Sequence, residues 1–158
     1  MKKLIFAALV AVVLCACGGE RDYLSVKGLS MGLPAKTFVD SLVGRGFAVD
    51  SAHSGEGLTR LALPGRASYG ITVANNGDVI TAVEEDYYAT YNDSTRALWQ
   101  ELRDSLVEVL GRNPGVPKRG DDHKIAEFET SEYKLVVTLD NHSVPFLSVF
   151  YEMKDLDK

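Results

Sequence analysis

The fold is decided by residues 69–84, whose sequence is YGITVANNGDVITAVE. From Tyr69 to Val73, large apolar residues alternate with glycine and threonine, which is the period-two pattern of a half-buried strand. Residues 75–78 are Asn-Asn-Gly-Asp, and both Asn and Gly tolerate the positive φ that a type I′ turn requires. Residues 79–84 then return as the partner strand. The stretch therefore predicts two antiparallel strands joined by a tight turn.

Further extended segments lie on both sides of this hairpin, each bounded by turn residues. Residues 55–57 and 64–65 are rich in glycine and proline, and residues 141–143 are Asn-His-Ser. The other predicted strands are residues 47–52, 58–63, 124–129, 133–139 and 146–153.

Two segments have the apolar spacing of amphipathic helices. The first begins at Leu33, carries Pro34 in its first turn and ends at Gly44. The second follows the capping residues 92–94 and ends at Gly111. The apolar positions are Phe38, Val39, Leu42 and Val43 in the first helix, and Leu98, Leu102, Leu106, Val109 and Leu110 in the second.

This order of elements predicts an α+β fold in which two helices pack on one face of an antiparallel sheet, in the order helix, strands, helix, strands. A single domain is expected over residues 29–153, followed by a polar tail at 154–158. The tetrapeptide Asp-Ser-Leu-Val occurs at 40–43 and again at 104–107, once in each helix. An internal duplication is therefore a further hypothesis.

The N-terminus has the pattern of an export signal. Lys2 and Lys3 precede 13 apolar residues, from Leu4 to Ala16. A helix needs roughly 20 apolar residues to cross a membrane, so this run is too short to do so. A charged start, a short apolar segment and a small-residue end are typical of a secretory signal peptide, here residues 1–16.

The sequence Leu14-Cys15-Ala16-Cys17 resembles the lipobox of bacterial lipoproteins. The resemblance implies cleavage after Ala16 and acylation of Cys17, so that the membrane is reached through a lipid anchor. Residues 17–28 would then be the lipidated cysteine and its tether. Gly18 stands where an aspartate signals inner-membrane retention in Gram-negative lipoproteins, so the outer membrane is the expected destination. The alternative is an ordinary cleaved signal that leaves Cys17 as a free thiol.

Cleavage would make the chain more acidic and leave it without a disulfide. The whole chain has a net charge of −5, and loss of the two N-terminal lysines leaves 15 basic residues against 22 acidic ones, a net charge of −7. Phosphates repel such a domain, so no nucleic-acid partner is expected. One cysteine would leave with the signal and the other would carry lipid, so core packing alone must stabilise the domain.

The domain itself resembles small envelope lipoproteins of the BamE-like and beta-lactamase-inhibitor-protein-like kinds. The resemblance rests on Met31-Gly32 ahead of the first helix and on Leu110-Gly111-Arg112-Asn113-Pro114 at the exit of the second. It implies a role in binding or assembly and supplies no catalytic residue.

The sequence contains no convincing catalytic constellation. His123 and His142 have aspartates beside them, as metal sites require, but adjacent side chains on a strand point to opposite faces and rarely converge on one ion. His53 with Ser54 lacks the glycine-flanked serine of a nucleophile elbow. The acidic run at 84–86 is predicted to be a solvated strand end. We therefore predict no enzymatic activity, no metal and no cofactor.

The most unusual local composition is an aromatic segment between the first group of strands and the second helix. Tyr87, Tyr88 and Tyr91 lie within five residues of one another, with Trp99 nearby. Amphipathic aromatic side chains are enriched in binding surfaces, so these four residues are the candidate ligand or partner surface. The alternative is that Tyr87 or Tyr88 packs under the helix with its hydroxyl at the rim.

Together these patterns predict a non-enzymatic, membrane-anchored envelope lipoprotein that binds a protein or another envelope component. A second hypothesis is a module that captures a small ligand through the aromatic segment. A third is a metal-dependent hydrolase that uses the histidines and the nearby aspartates.

Overall fold

A computed structural model describes residues 23–88, 92–111, 113–114, 123–140 and 146–154. The predicted signal peptide, its cleavage site at Ala16 and the lipid acceptor Cys17 lie outside these residues, as do Tyr91 and His142.

The described chain forms two α-helices, a seven-stranded antiparallel sheet and a separate two-stranded hairpin, so the predicted α+β class is confirmed. The hairpin consists of β1 (Ser25–Val26) and β2 (Leu29–Ser30). The remaining elements are α1 (Ala35–Gly44), β3 (Ala48–Val49), β4 (Leu58–Leu63), β5 (Arg66–Asn76), β6 (Val79–Tyr88), α2 (Asn92–Leu110), β7 (His123–Glu129), β8 (Tyr133–Asp140) and β9 (Phe146–Met153).

The large sheet has the strand order β3-β4-β5-β6-β9-β8-β7. Its centre is the antiparallel pair β6–β9, in which Val83 lies opposite Tyr151. Each side of this pair is a meander of neighbouring strands, β4 to β6 on one side and β7 to β9 on the other. The sheet therefore joins two stretches of chain that are distant in sequence.

The hairpin predicted from residues 69–84 is confirmed, because β5 pairs with β6 and Asn76 lies opposite Val79. The predicted type I′ turn is wrong. That turn needs positive φ at both of its central residues, which here are Gly77 and Asp78. Gly77 has a positive φ of 58°, and Asp78 does not. A register shift between Ala74 and Asn75 adjusts the pairing just before the turn.

Both helices begin and end close to the predicted residues. Pro34 immediately precedes α1, and Gly111 follows α2 with a positive φ of 63°, as is common after a helix. The apolar stripes are narrower than predicted, since Val43 is 44% exposed and Val109 is 39% exposed. In α1 the side chains of Phe38 and Leu42 carry the packing, and both are fully buried.

One face of the sheet carries the hydrophobic core. The core side chains of β5, β6, β8 and β9 occupy alternate positions that the strand register aligns on a single face. Phe38 and Leu42 of α1 and Leu102 and Leu106 of α2 belong to the same buried cluster, so both helices cover this face. The other face has no described helix packed against it.

The structure differs from the sequence prediction at the start of the domain. Residues 23–28, predicted to belong to a solvated tether, form β1 and the turn after it. Leu24 and Val26 are fully buried because they pack into the main core. The first described element is therefore a strand hairpin, where the prediction placed a helix. The predicted strand at 47–52 shortens to β3, which is followed by a 3₁₀ turn at Ser51–His53.

Candidate functional site

Of the four aromatic residues of the predicted binding surface, the structure describes the side chains of Trp99 and Tyr87. Trp99 is only 3% exposed, and its Nε1–H donates a hydrogen bond of 3.2 Å to the carbonyl of Val137 in β8. Its prediction as a surface residue is wrong, because α2 turns this side chain onto the sheet. Tyr87 is partly buried on β6, and the side chains of Tyr88 and Tyr91 lie outside the described part of the chain.

Tyr87 instead belongs to a cluster built around Glu85, which is 1% exposed. The hydroxyls of Tyr87 and Tyr151 each donate to a Glu85 carboxylate oxygen at 2.9 Å, and the hydroxyl of Tyr69 donates to it as well. The acidic run at 84–86 was predicted to be solvated. That prediction is wrong for Glu85 and also for Asp86, which is buried too.

Strand alternation explains how these side chains meet. Val83, Glu85 and Tyr87 follow one another at period two on β6, so all three point to the helix-covered face. Tyr69 on β5 lies opposite Tyr87, and Tyr151 on β9 lies opposite Val83. Three strands therefore each place one tyrosine beside the same glutamate.

A lysine from the N-terminal hairpin completes the cluster. Lys27 Nζ lies 2.8 Å from Oε2 of Glu85 and 3.3 Å from the hydroxyl of Tyr87. The same ammonium group lies 5.0 Å from the ring centroid of Tyr69 and 5.7 Å from that of Tyr87, within the range of a cation–π contact. We call Lys27, Tyr69, Glu85, Tyr87 and Tyr151 the Glu85 cluster.

The backbone holds Lys27 in an unusual conformation. Its φ is 54°, and it is the one residue other than glycine with positive φ in the described chain. Such a conformation costs free energy in a residue with a Cβ and persists only when surrounding contacts enforce it. One such contact is a hydrogen bond from the Arg45 guanidinium to the Lys27 carbonyl oxygen. Further contacts join its ammonium group to Glu85, Tyr69 and Tyr87.

The electrostatics of the cluster keep the phenols protonated. Burial raises the pKa of Tyr69, Tyr87 and Tyr151 well above the ordinary value. The negative charge of Glu85 is the second largest cause of this rise. Protonated phenols can donate hydrogen bonds, which is what the buried carboxylate requires. Deprotonation of any of the three would set a second negative charge beside Glu85.

The opposite face of the sheet carries a second buried charge. Asp86 forms an ion pair with Arg60 and accepts a hydrogen bond from its Nη1. The same nitrogen donates a hydrogen bond of 2.7 Å to the hydroxyl of Thr72. Gly70 makes room for this guanidinium, because a Cβ at Gly70 would lie 2.8 Å from Arg60 Cζ. Burial, and after it the charge of Asp86, raises the pKa of the neighbouring Glu84.

Each of the two described histidines lies near a carboxylate. His53 Nδ1 lies 2.7 Å from Asp50, and this hydrogen bond lowers the pKa of the Asp50 carboxyl. His123 Nδ1 lies 3.6 Å from Asp140, which is its cross-strand partner on β8. Across the described ranges, no three His, Cys, Asp or Glu side chains converge as a metal would require.

Sequence reasoning missed Lys27, Tyr69, Glu85 and Tyr151 as members of one site. One signal was present: a glutamate stands between Val83 and Tyr87 on the apolar side of a strand pattern, where a charge needs buried partners. The partners themselves come from β1–β2, β5 and β9, and period-two patterning does not specify which strands become neighbours.

Neither helix of the described chain has the length and apolarity needed to cross a membrane. No protein-family model matches the chain, and no curated protein or solved structure matches it either.

Proposed function

We propose that this chain is a non-enzymatic lipoprotein of the bacterial cell envelope, anchored through Cys17, whose domain binds another envelope protein. The Leu14–Cys17 lipobox supports the anchor. Leu24 is fully buried in the core, so the proposed tether must end before this residue and is shorter than the sequence alone predicted. Residues 17–22 span at most about 20 Å, which holds the domain close to its membrane. Gly18 after the acceptor cysteine favours the outer membrane.

The observation that carries the binding role is the open face of the sheet, meaning the face opposite the helices. Phe150 on β9 and Val136 on β8 are cross-strand neighbours that form an apolar centre on this face, and both are only partly buried. Ile125 lies one strand farther out, on the same face. Aromatic and branched apolar side chains surrounded by polar ones are typical of the centre of a protein interface.

The charges around this apolar centre define the chemistry of the partner. Glu84 and Glu127 lie in the same cross-strand row as Phe150 and Val136, one at each end of the pair. Lys134 Nζ lies 2.8 Å from Glu127 and partly offsets its charge. A protein that presents an apolar patch with a basic rim is complementary to this surface.

A second candidate function is the capture of a small ligand. The observation that favours it is the Glu85 cluster, in which Tyr87 of the predicted aromatic segment faces a buried carboxylate together with two further tyrosines. Trp99 plays no part in this alternative because it is buried in the core.

We also propose that the two halves of the domain arose by duplication. α1 is followed by the meander β4 to β6, and α2 by the meander β7 to β9. The last strands of the two meanders pair with each other antiparallel, as two copies related by a twofold axis would. Within the repeated tetrapeptide, Leu42 and Leu106 are both fully buried.

Two experiments test the proposed function. Cys17→Ser should move the protein from the membrane fraction to the soluble fraction, and an unchanged distribution would contradict the anchor. Affinity capture from native envelopes should recover a protein with the wild-type chain and lose it with Val136→Lys. Glu101→Lys on exposed α2 is the matched control and should retain the capture. Equal capture by Val136→Lys would overturn the role of the open face.

A further inference from the structure

The ammonium group of Lys27 occupies an enclosure made by side chains of the sheet. On one side it meets the Glu85 carboxylate at 2.8 Å, and on the others the ring of Tyr69 and the hydroxyl of Tyr87, which lies 3.3 Å from Nζ. The two rings lie 4.9 Å apart between centroids and are tilted by 55°, so they form two walls of a corner. Phe47 extends the aromatic wall, with its centroid 5.9 Å from that of Tyr69.

A carboxylate flanked by aromatic side chains is a recognition site for alkylammonium ions. The carboxylate supplies a charge-assisted hydrogen bond, and the ring quadrupoles attract the cation. The three phenol hydroxyls satisfy other lone pairs of Glu85, but they do not neutralise its charge. Among the described residues, Lys27 is the cation that does so.

The lysine comes from outside the sheet that builds the enclosure. It lies in the turn of the β1–β2 hairpin, which is not hydrogen-bonded to the large sheet as a strand. Its side chain is 18% exposed, whereas that of Glu85 is 1% exposed, so the lysine enters from the surface and covers the carboxylate. Removing the side chain would open the enclosure along the path that the lysine now fills.

We propose that Glu85, Tyr69 and Tyr87 form a binding site for a primary alkylammonium group, and that Lys27 occupies this site as an internal ligand. The chemical class of external ligand is an ammonium on a flexible apolar stem, such as the side chain of a lysine in a partner peptide. Such a ligand must displace Lys27 to bind. This site lies on the helix-covered side of the sheet and is independent of the open face.

Chemical rescue tests the proposal directly. Lys27→Gly deletes a side chain whose missing atoms correspond to n-butylammonium, and glycine accepts the positive φ at this position. At about 50 mM, n-butylammonium should raise the melting temperature of the full-length variant by about 2–5 °C relative to equal n-butanol. The wild-type chain should show no such ammonium-specific rise, because Lys27 already fills the site.

The double variant Lys27→Gly/Glu85→Gln supplies the matched control, since the enclosure remains but its charge is gone. It should lose the ammonium-specific rise. An equal effect of amine and alcohol on Lys27→Gly, an undiminished rise in the double variant, or the same rise in wild type would each overturn the proposal. If Lys27→Gly does not fold alone, n-butylammonium should restore the native fluorescence of Trp99 during refolding, and failure to do so would also overturn it.

Discussion

The hydroxyl of Tyr151 donates a hydrogen bond of 2.9 Å to Oε1 of Glu85, and both side chains are almost completely buried. A charged carboxylate at this depth is stable only because hydrogen-bond donors and a cation surround it. The helix-covered side of β6 therefore combines an apolar core with one densely hydrogen-bonded charge.

Removing the carboxylate should destabilise the fold strongly. Glu85→Ala leaves the Lys27 ammonium and three phenol hydroxyls without their shared acceptor, so we expect a loss of about 3–5 kcal/mol in the free energy of unfolding. Urea denaturation measures it. Glu84→Ala, a neighbouring carboxylate on the open face, is the control and should cost less. Equal losses in the free energy of unfolding for the two variants would contradict the stabilising role of the buried Glu85 cluster.

Alkaline pH should destabilise the protein through the same cluster. The folded-state pKa values of Tyr69, Tyr87 and Tyr151 are raised, so the folded chain keeps these protons while the unfolded chain releases them above about pH 10. The stability that the protonated phenols contribute is fully present below pH 10 and is lost as the pH rises further.

Phenolate absorbance followed together with circular dichroism measures this effect. Exposed tyrosines should ionise first, and the remainder should ionise only as the secondary structure is lost. Complete ionisation of all seven tyrosines in a folded chain would be incompatible with the described cluster.

A methyl group at Gly70 should disturb the buried ion pair of the open face. The Cβ of Gly70→Ala would lie 2.8 Å from Arg60 Cζ, so the guanidinium must shift away from Asp86. We expect a loss of about 1–3 kcal/mol in thermal or urea unfolding. Gly44→Ala is the matched control, because a Cβ there meets no atom within 4 Å. Equal free energies of unfolding for the two variants would contradict this prediction, because the guanidinium would then move aside without loss of stability.

Trp99 should report on the core. It is the single tryptophan of the chain and is 3% exposed, so its native emission should be blue-shifted and poorly quenched by iodide. Unfolding should shift the emission to the red and restore quenching. Efficient quenching in the native state would place Trp99 at the surface, contrary to the structure.

Local patterns predicted most of the elements, because period and turn chemistry are properties of neighbouring residues. The 69–84 hairpin, both helices and the strands β7, β8 and β9 were found in this way. The patterns could not predict that β6 pairs with β9. That pairing brings Tyr151 to Glu85, so the Glu85 cluster could not be predicted as a unit.

The N-terminal hairpin was missed for a different physical reason. The segment 23–28 is short and directly follows the polar residues 18–22. Together these residues have the composition of a tether. Only tertiary contacts make Leu24 and Val26 part of the core and bring Lys27 to Glu85. Trp99 was assigned to a surface because aromatic composition does not say which side of a helix meets the sheet.

Site-specific photo-crosslinking in intact cells tests the central claim, that the open face binds an envelope protein. A photoreactive residue at Thr138, beside Val136 and Ile125 on the open face, should give a discrete adduct with one envelope protein. The same residue at Glu101, which is exposed on α2, should give none. An adduct from Glu101 but not from Thr138 would contradict the account, as would the absence of any adduct along the open face.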